Sequence, residues 1–245
     1  MPLFGRTGHP ATGGPPEWQP IDIGGSVLWL RSDLGIIKDG SGRVGTWADQ
    51  SDSNNHATQT DDSKKYIFTP NDLGNFASLV GDGSNDVMNA NGLCPTLYGT
   101  NSFTFFGIVK SVDPISWEYP YPFMFSTAGG VPKTFLMILN ADTIRFYRAS
   151  LEYGNQYLSA LHTFGGWDYY VLTFGGRYST LRINGSALWV DADVMDGTMG
   201  TGLDAFYFES INVKQHWVEM GFYDNVISSP NVTLLENYIQ TRYSL

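Results

Sequence analysis

SVLWLRSDLGIIKDGSGRVGTWADQSDSNNHATQ, residues Ser26–Gln59, is the stretch on which the fold turns. An apolar strand at Val27–Leu30 runs into a polar loop. A Gly-rich turn follows at Asp39–Gly42, and a Trp-containing strand at Val44–Ala48 leads into a turn dense in Asp, Ser and Asn. Branched and aromatic side chains suit a pleated, half-buried surface, while Gly, Asn and Asp supply the dihedral angles of tight turns. The stretch reads as hairpin chemistry in an all-β protein.

Working outward, the same grammar recurs along the chain. Ser102–Lys110, SFTFFGIVK, is apolar on both faces, which predicts a central strand covered from both sides. Phe135–Leu139 and Thr143–Arg148 flank Asn140-Ala141-Asp142 as a hairpin, and Tyr169–Phe174 ends at Gly175-Gly176. Thr180–Ile183 and Ala187–Val190 enclose Asn184-Gly185, a pair that supplies the two positive φ angles of a type I′ turn. Ala205–Glu209 and His216–Tyr223 add two more strands. Ser229–Tyr243 departs from the pattern: Ser229 can cap, Pro230 fits a first turn, and Leu234, Leu235, Tyr238 and Ile239 recur at helical spacing. The expectation is a two-sheet antiparallel sandwich over residues 23–245, closed by one short helix.

Composition agrees. A chain of 245 residues with 42% hydrophobic, 15% aromatic and 16% charged residues is long enough to bury a core without covalent staples. The single Cys94 excludes an intrachain disulfide and reads as a small buried apolar residue. A net charge of −10 repels phosphate backbones and anionic lipid, so neither nucleic acid nor membrane is an expected partner. No run reaches the roughly 18 apolar residues of a membrane span. Residues 1–22 form a separate element. Met1–Pro20 is rich in Pro, Gly and Thr, and lacks the apolar centre of a signal peptide. It is either a dispensable tail or an arm lying on a neighbouring subunit. Phe4 and Trp18, unfavourable in water, point to the arm.

Several of these patterns together resemble the laminin-G-like (concanavalin-A-like) jelly-roll family of bacteria and their viruses. VLWLRSD followed by TWADQSDSNNHATQ looks like that family's opening strand, Trp-Asp-Ser turn and exit. VGDGSNDVM at Val80–Met88 resembles its Gly-x-x-Asp segment, and SFTFFGIVK the long strand after it. LRINGSAL resembles its Asn-Gly hairpin, and VEMGFYDNVISSPNVTLLENYIQTRY its closing strand, loop and helix. The resemblance covers Ile23 to Leu245 and implies a jelly-roll sandwich; folds of this kind host lectins, glycanases, capsid proteins and spacers alike.

Candidate chemistry is sparse. Glycanases of this fold class carry carboxylates at alternate positions of one strand, which places them on one face around a glycosidic bond. Here Glu17, Glu118, Glu152, Glu209 and Glu219 each stand alone. His9, His56, His162 and His216 lack metal-ligand spacing and read as ordinary polar or core histidines. Asp49 and Asp52, with Asn54 and Asn55, offer hard oxygen ligands to calcium, as do Asp82 and Asp86. The alternative, that they cap turns, fits better, because neither group has the spacing of a defined calcium loop; no cofactor is expected. Trp117, Tyr119 and Tyr121, interleaved with Pro120 and Pro122 in ISWEYPYPF, form either a sugar-stacking platform or a lid over one end of the sandwich. The resulting expectation is a non-enzymatic virion protein of a bacteriophage: a decoration, fibre or receptor-binding subunit made in the host cytoplasm. It would dock on other virion proteins through its arm, form a homo-oligomer and display the sandwich to a host-surface glycan. A stand-alone lectin is the alternative, and a glycoside hydrolase or lyase the third.

Overall fold

The computed structural model describes residues 18–97, 102–112, 123–127, 133–140, 142–150, 154–175, 178–189, 203–210 and 213–245. Among these, two antiparallel sheets face each other as a jelly-roll sandwich. The first has eight strands. It runs from Ser186–Trp189 through Tyr178–Ile183, Trp167–Gly175, Ser102–Val112, Lys214–Tyr223 and Phe76–Val80 to Ile67–Leu73, with Ser26–Arg31 also paired to Lys214–Tyr223. The second has nine. Its order is Gly154–Leu161, Thr143–Ser150, Lys133–Asn140, Phe123–Thr127, Leu203–Ser210, Asp86–Asn89, Ala57–Thr58, Val44–Trp47 and Ile36–Lys38.

Period-two alternation builds two cores rather than one. On the Ser102–Val112 strand, Phe103, Phe105 and Val109 enter the inter-sheet core with Trp47, Leu172, Phe208, Trp217 and Phe222. Phe106 and Ile108 face the other way and pack beneath the C-terminal helix with Tyr169, Val171, Val218 and Trp29. That is why this strand reads as apolar on both faces. The helix spans Ser229–Tyr243. At 15 residues it is marginal in isolation. Burial of Leu235 and Ile239, both fully enclosed, supplies roughly 1.5–3 kcal/mol each and docks it on the sheet. Its cap is Ser228 rather than Ser229, which with Pro230 forms the first turn.

The Asn184-Gly185 turn has φ of 49° and 77°, the two positive angles its sequence demands. A Cβ on Gly185 would meet the Tyr169 hydroxyl at 3.0 Å. The opening stretch forms a hairpin about its Asp39–Gly42 turn, but with a short strand, Ile36–Lys38, that its sequence reading gave to the polar loop. Val44–Trp47 pairs with Ile36–Lys38 in the second sheet, whereas Ser26–Arg31 belongs to the first. Ile36–Lys38 is a three-residue edge strand with Ile37 exposed, too short to show alternation. The chain changes sheets at Gly35, whose φ of 73° and lack of a Cβ let it pass within reach of Gln50 and Ala48. At the N-terminal side, Trp18 and Ile21 lie against the helix-side core. Trp18 meets Tyr238 edge-on at 5.8 Å, and the Tyr223 hydroxyl donates to the Pro20 carbonyl at 2.9 Å.

Candidate functional site

The residues singled out from sequence fall into three groups. Trp117, Tyr119 and Tyr121 lie outside the described residues, as does Phe4. Trp18 is placed against its own domain. Asp49 is buried in the turn after Val44–Trp47. Its Oδ1 accepts from the Trp29 amide at 2.8 Å and the Ser51 amide at 2.9 Å; its Oδ2 accepts from Ser51 Oγ and the Asn55 amide, both at 2.8 Å. Asn55 continues the network to the Val27 carbonyl at 2.8 Å. Asp49 thus fastens its turn to the first strand. Asp52 is exposed at the tip of the same turn, where its carbonyl oxygen accepts from Asn54 Nδ2.

Other buried carboxylates also close on the fold. Glu219 sits fully buried between sheet and helix. It accepts from Trp29 Nε1 at 2.6 Å, from the Tyr238 hydroxyl at 3.2 Å and from the Tyr243 hydroxyl. Burial pushes its carboxyl above the ordinary value against the pull of those donors. Glu236 of the helix takes the Arg182 guanidinium through both oxygens, at 2.8 and 3.1 Å. Asp86 accepts from the Asp82 amide at 2.8 Å; burial, with the Asp82 charge adding to it, raises its carboxyl to about 6. Among the described residues, no three His, Cys, Asp or Glu side chains converge as a metal site would require.

The arrangement with most chemistry lies on the helix-side face of the first sheet, where the helix-side core ends. Pairing sets Trp167 opposite Lys110 and Lys110 opposite His216, one residue from each of three adjacent strands. Asp72 reaches this row from an irregular part of the Ile67–Leu73 strand, next to Asn71 with its φ of 55°. Its Oδ2 accepts from His216 Nδ1 and from Ser78 Oγ, each at 2.5 Å, and its Oδ1 from Lys110 Nζ at 3.1 Å. Lys110 Nζ also stands 4.8 Å from the centroid of the Trp167 ring, and the His216 ring meets Trp167 edge-on at 6.1 Å. The Asp72, His216 and Lys110 side chains keep 14%, 13% and 19% of their surface in solvent.

The electrostatics are consistent. Burial works to raise the Asp72 carboxyl, but the bonds from Ser78, His216 and Lys110 outweigh it and hold the group below the ordinary value. Burial lowers His216, and the charges of Lys110 and Lys214 reinforce this against the opposing pull of Asp72. At neutral pH the cluster therefore holds a carboxylate, an ammonium and a neutral imidazole. A carboxylate only accepts, so the imidazole proton is on Nδ1 and Nε2 carries a lone pair. Among the described residues Nε2 has no partner.

A second pair lies at the same end of the sheet. His162 Nε2 bonds Asp168 at 2.8 Å, Asn184 Nδ2 donates to the other Asp168 oxygen at 2.8 Å, and Asn184 Oδ1 accepts from the Tyr169 amide. This pair ties the 162–166 loop to the Asn-Gly hairpin. Sequence reading passed over Trp167, Lys110 and Asp72, and took His216 for an ordinary residue. Asp72 and His216 are 144 positions apart, and no local motif joins them.

No protein-family model matches this chain, and no curated protein does. Solved structures of botulinum neurotoxin binding domains do match. The serotype G binding domain is 15% identical, with 88% of this chain and 51% of that one covered at a TM-score of 0.63. The serotype D ligand-binding domain in complex with N-acetylneuraminic acid is 13% identical, covering 87% and 50% at 0.63. The binding domain of neurotoxin DC in complex with rat synaptotagmin II is 12% identical, covering 91% and 53% at 0.62. The chain spans about half the length of these structures. At such identity the likeness is one of fold.

Proposed function

We propose that this chain is a non-catalytic recognition module of the laminin-G-like type, carried on a bacteriophage virion as a decoration, fibre or receptor-binding subunit. The observation that carries the recognition reading is the fold. Its match extends over most of the chain, and it is to neurotoxin binding domains, one of them in complex with N-acetylneuraminic acid and another with rat synaptotagmin II. The buried carboxylates add support: Asp49, Glu219 and Glu236 each bond to groups of the fold, an arrangement suited to holding strands rather than flanking a glycosidic bond.

The virion placement rests on the Pro/Gly-rich Met1–Pro20 segment and the family resemblance. Because Trp18 contributes to its own domain's helix-side core, docking on a neighbouring virion protein falls to the residues before it, Phe4 included. The sandwich then faces a host-surface glycan, with Trp117, Tyr119 and Tyr121 as stacking residues on the segment that follows Val112. The test is a glycan array combined with particle co-purification. Wild type is expected to bind at least one host-surface glycan and to travel with intact particles, and deletion of residues 1–17 to abolish incorporation while leaving a soluble sandwich. A truncated chain that still assembles removes the arm from the reading; turnover of any polysaccharide removes the non-catalytic assignment.

A further inference from the structure

We propose that Trp167, Lys110, His216 and Asp72 form a binding site for an uncharged, hydroxyl-rich sugar ring. The inference rests on the recognition-module reading and gives that reading a second, defined location on the sheet face.

A pyranose presents a rim of hydroxyls around a partly apolar C–H face, so a site for it needs an aromatic surface beside fixed acceptors and donors. The cluster has all three. Trp167 is half-buried and held in place by the Lys110 ammonium and the edge of the His216 ring, so little freedom remains to be lost on binding. His216 Nε2 is a lone-pair acceptor, oriented by the bond its Nδ1 makes to Asp72 and otherwise unused. Lys110 gives one of its three N–H donors to Asp72, which leaves two for ligand oxygens, and the carboxylate has accepted three bonds where it has room for about four.

Charge selects the ligand class. The Lys110 ammonium is balanced by the Asp72 carboxylate 3.1 Å away, so the cluster presents a dipole rather than a net charge. Nothing here is arranged for a phosphate or a carboxylate, which draw on unpaired cations and bidentate guanidinium groups. A metal ion is disfavoured too, since the positive charges of Lys110 and Lys214 both act on the His216 imidazole. A hydroxyl donating to Nε2, with its ring against Trp167, uses the free imidazole acceptor, and neighbouring ring hydroxyls can accept from the two remaining Lys110 donors.

The experiment uses the full chain on an array of neutral and sialylated oligosaccharides, with W167A, H216N, H216Q and W117A as variants. H216N keeps a donor toward Asp72 and removes the Nε2 acceptor; H216Q places an acceptor near the Nε2 position. Wild type is expected to bind a neutral glycan, with affinity falling about tenfold or more in W167A and H216N and recovering in part in H216Q. H216N should unfold within a few degrees of wild type. Should W167A fail to fold, NMR titration of wild type with the glycan that binds is decisive: the Trp167 indole and His216 ring resonances must shift. Binding lost in W117A but unchanged in W167A and H216N overturns this site and leaves the recognition module standing. Capture of sialylated glycans alone, or of a protease-sensitive host protein, overturns the ligand class. Silence across the whole array overturns the site and the glycan reading together.

Discussion

Replacing Asp49 by Ala tests whether one carboxylate fastens the first strand to the turn that follows the second sheet's Trp47 strand. The substitution removes four acceptor interactions, all at 2.8–2.9 Å. Ser51 lies on the turn itself and is also buried, so leaving its two donors out of the count makes the figure a minimum. The Trp29 and Asn55 amides are buried, and each such donor left unpaired costs about 1–3 kcal/mol. Two of them give a loss of about 4 kcal/mol, with some added strain as the bond from Asn55 to the Val27 carbonyl loosens. For a chain of this size that corresponds to a fall in Tm of roughly 8–16 °C. Asp49→Asn keeps one oxygen and turns a donor toward its neighbours, so about half the loss is expected. Urea unfolding with a constant m-value is the assay, repeated with chelator to separate hydrogen bonding from calcium held at Asp49 and Asp52. A loss under about 1 kcal/mol in D49A refutes the accounting, and destabilisation of wild type by chelator assigns the turn to the metal.

Glu219→Ala strands Trp29 Nε1 and the Tyr238 and Tyr243 hydroxyls beneath the helix and is expected to cost about 3–5 kcal/mol by urea unfolding, whereas Glu219→Gln, which keeps an acceptor and the volume, costs no more than about 1 kcal/mol. Equal effects of the two would show that the bonds are irrelevant to docking the helix. Asp86 makes a pH prediction. Its folded carboxyl titrates at about 6, above its ordinary 3.8, so protonated Asp86 stabilises the fold fully below about pH 4, and that contribution is lost as the pH rises through 6. Asp86→Asn, still able to accept from the Asp82 amide, is expected to be more stable than wild type at pH 7–8 and level with it at pH 4. A difference that does not change between those values rejects the assignment.

The local grammar carried a long way. Asn184-Gly185 names its own turn because only positive φ at both positions matches the twist of the flanking strands, and the structure has both. Leu235 and Ile239 announce the helix by their spacing, and its Ser229–Tyr243 span is as read. The Ser102–Val112 strand declares itself central, since an edge strand or a solvated face cannot carry apolar side chains on both sides. Composition and order along the chain were thus enough for an all-β sandwich with one closing helix. They were not enough for neighbours. Ser26–Arg31 and Val44–Trp47 follow one another along the chain and lie in opposite sheets, because alternation states which residues share a face and is silent on which strand lies alongside. The same holds for chemistry. Asp72, Lys110, Trp167 and His216 are unremarkable in their own segments and meet only where hydrogen-bond pairing brings distant strands into register. Periodicity acts over a few residues and is written in the chain; convergence of polar groups is a product of long-range pairing, and only the folded sheet decides it.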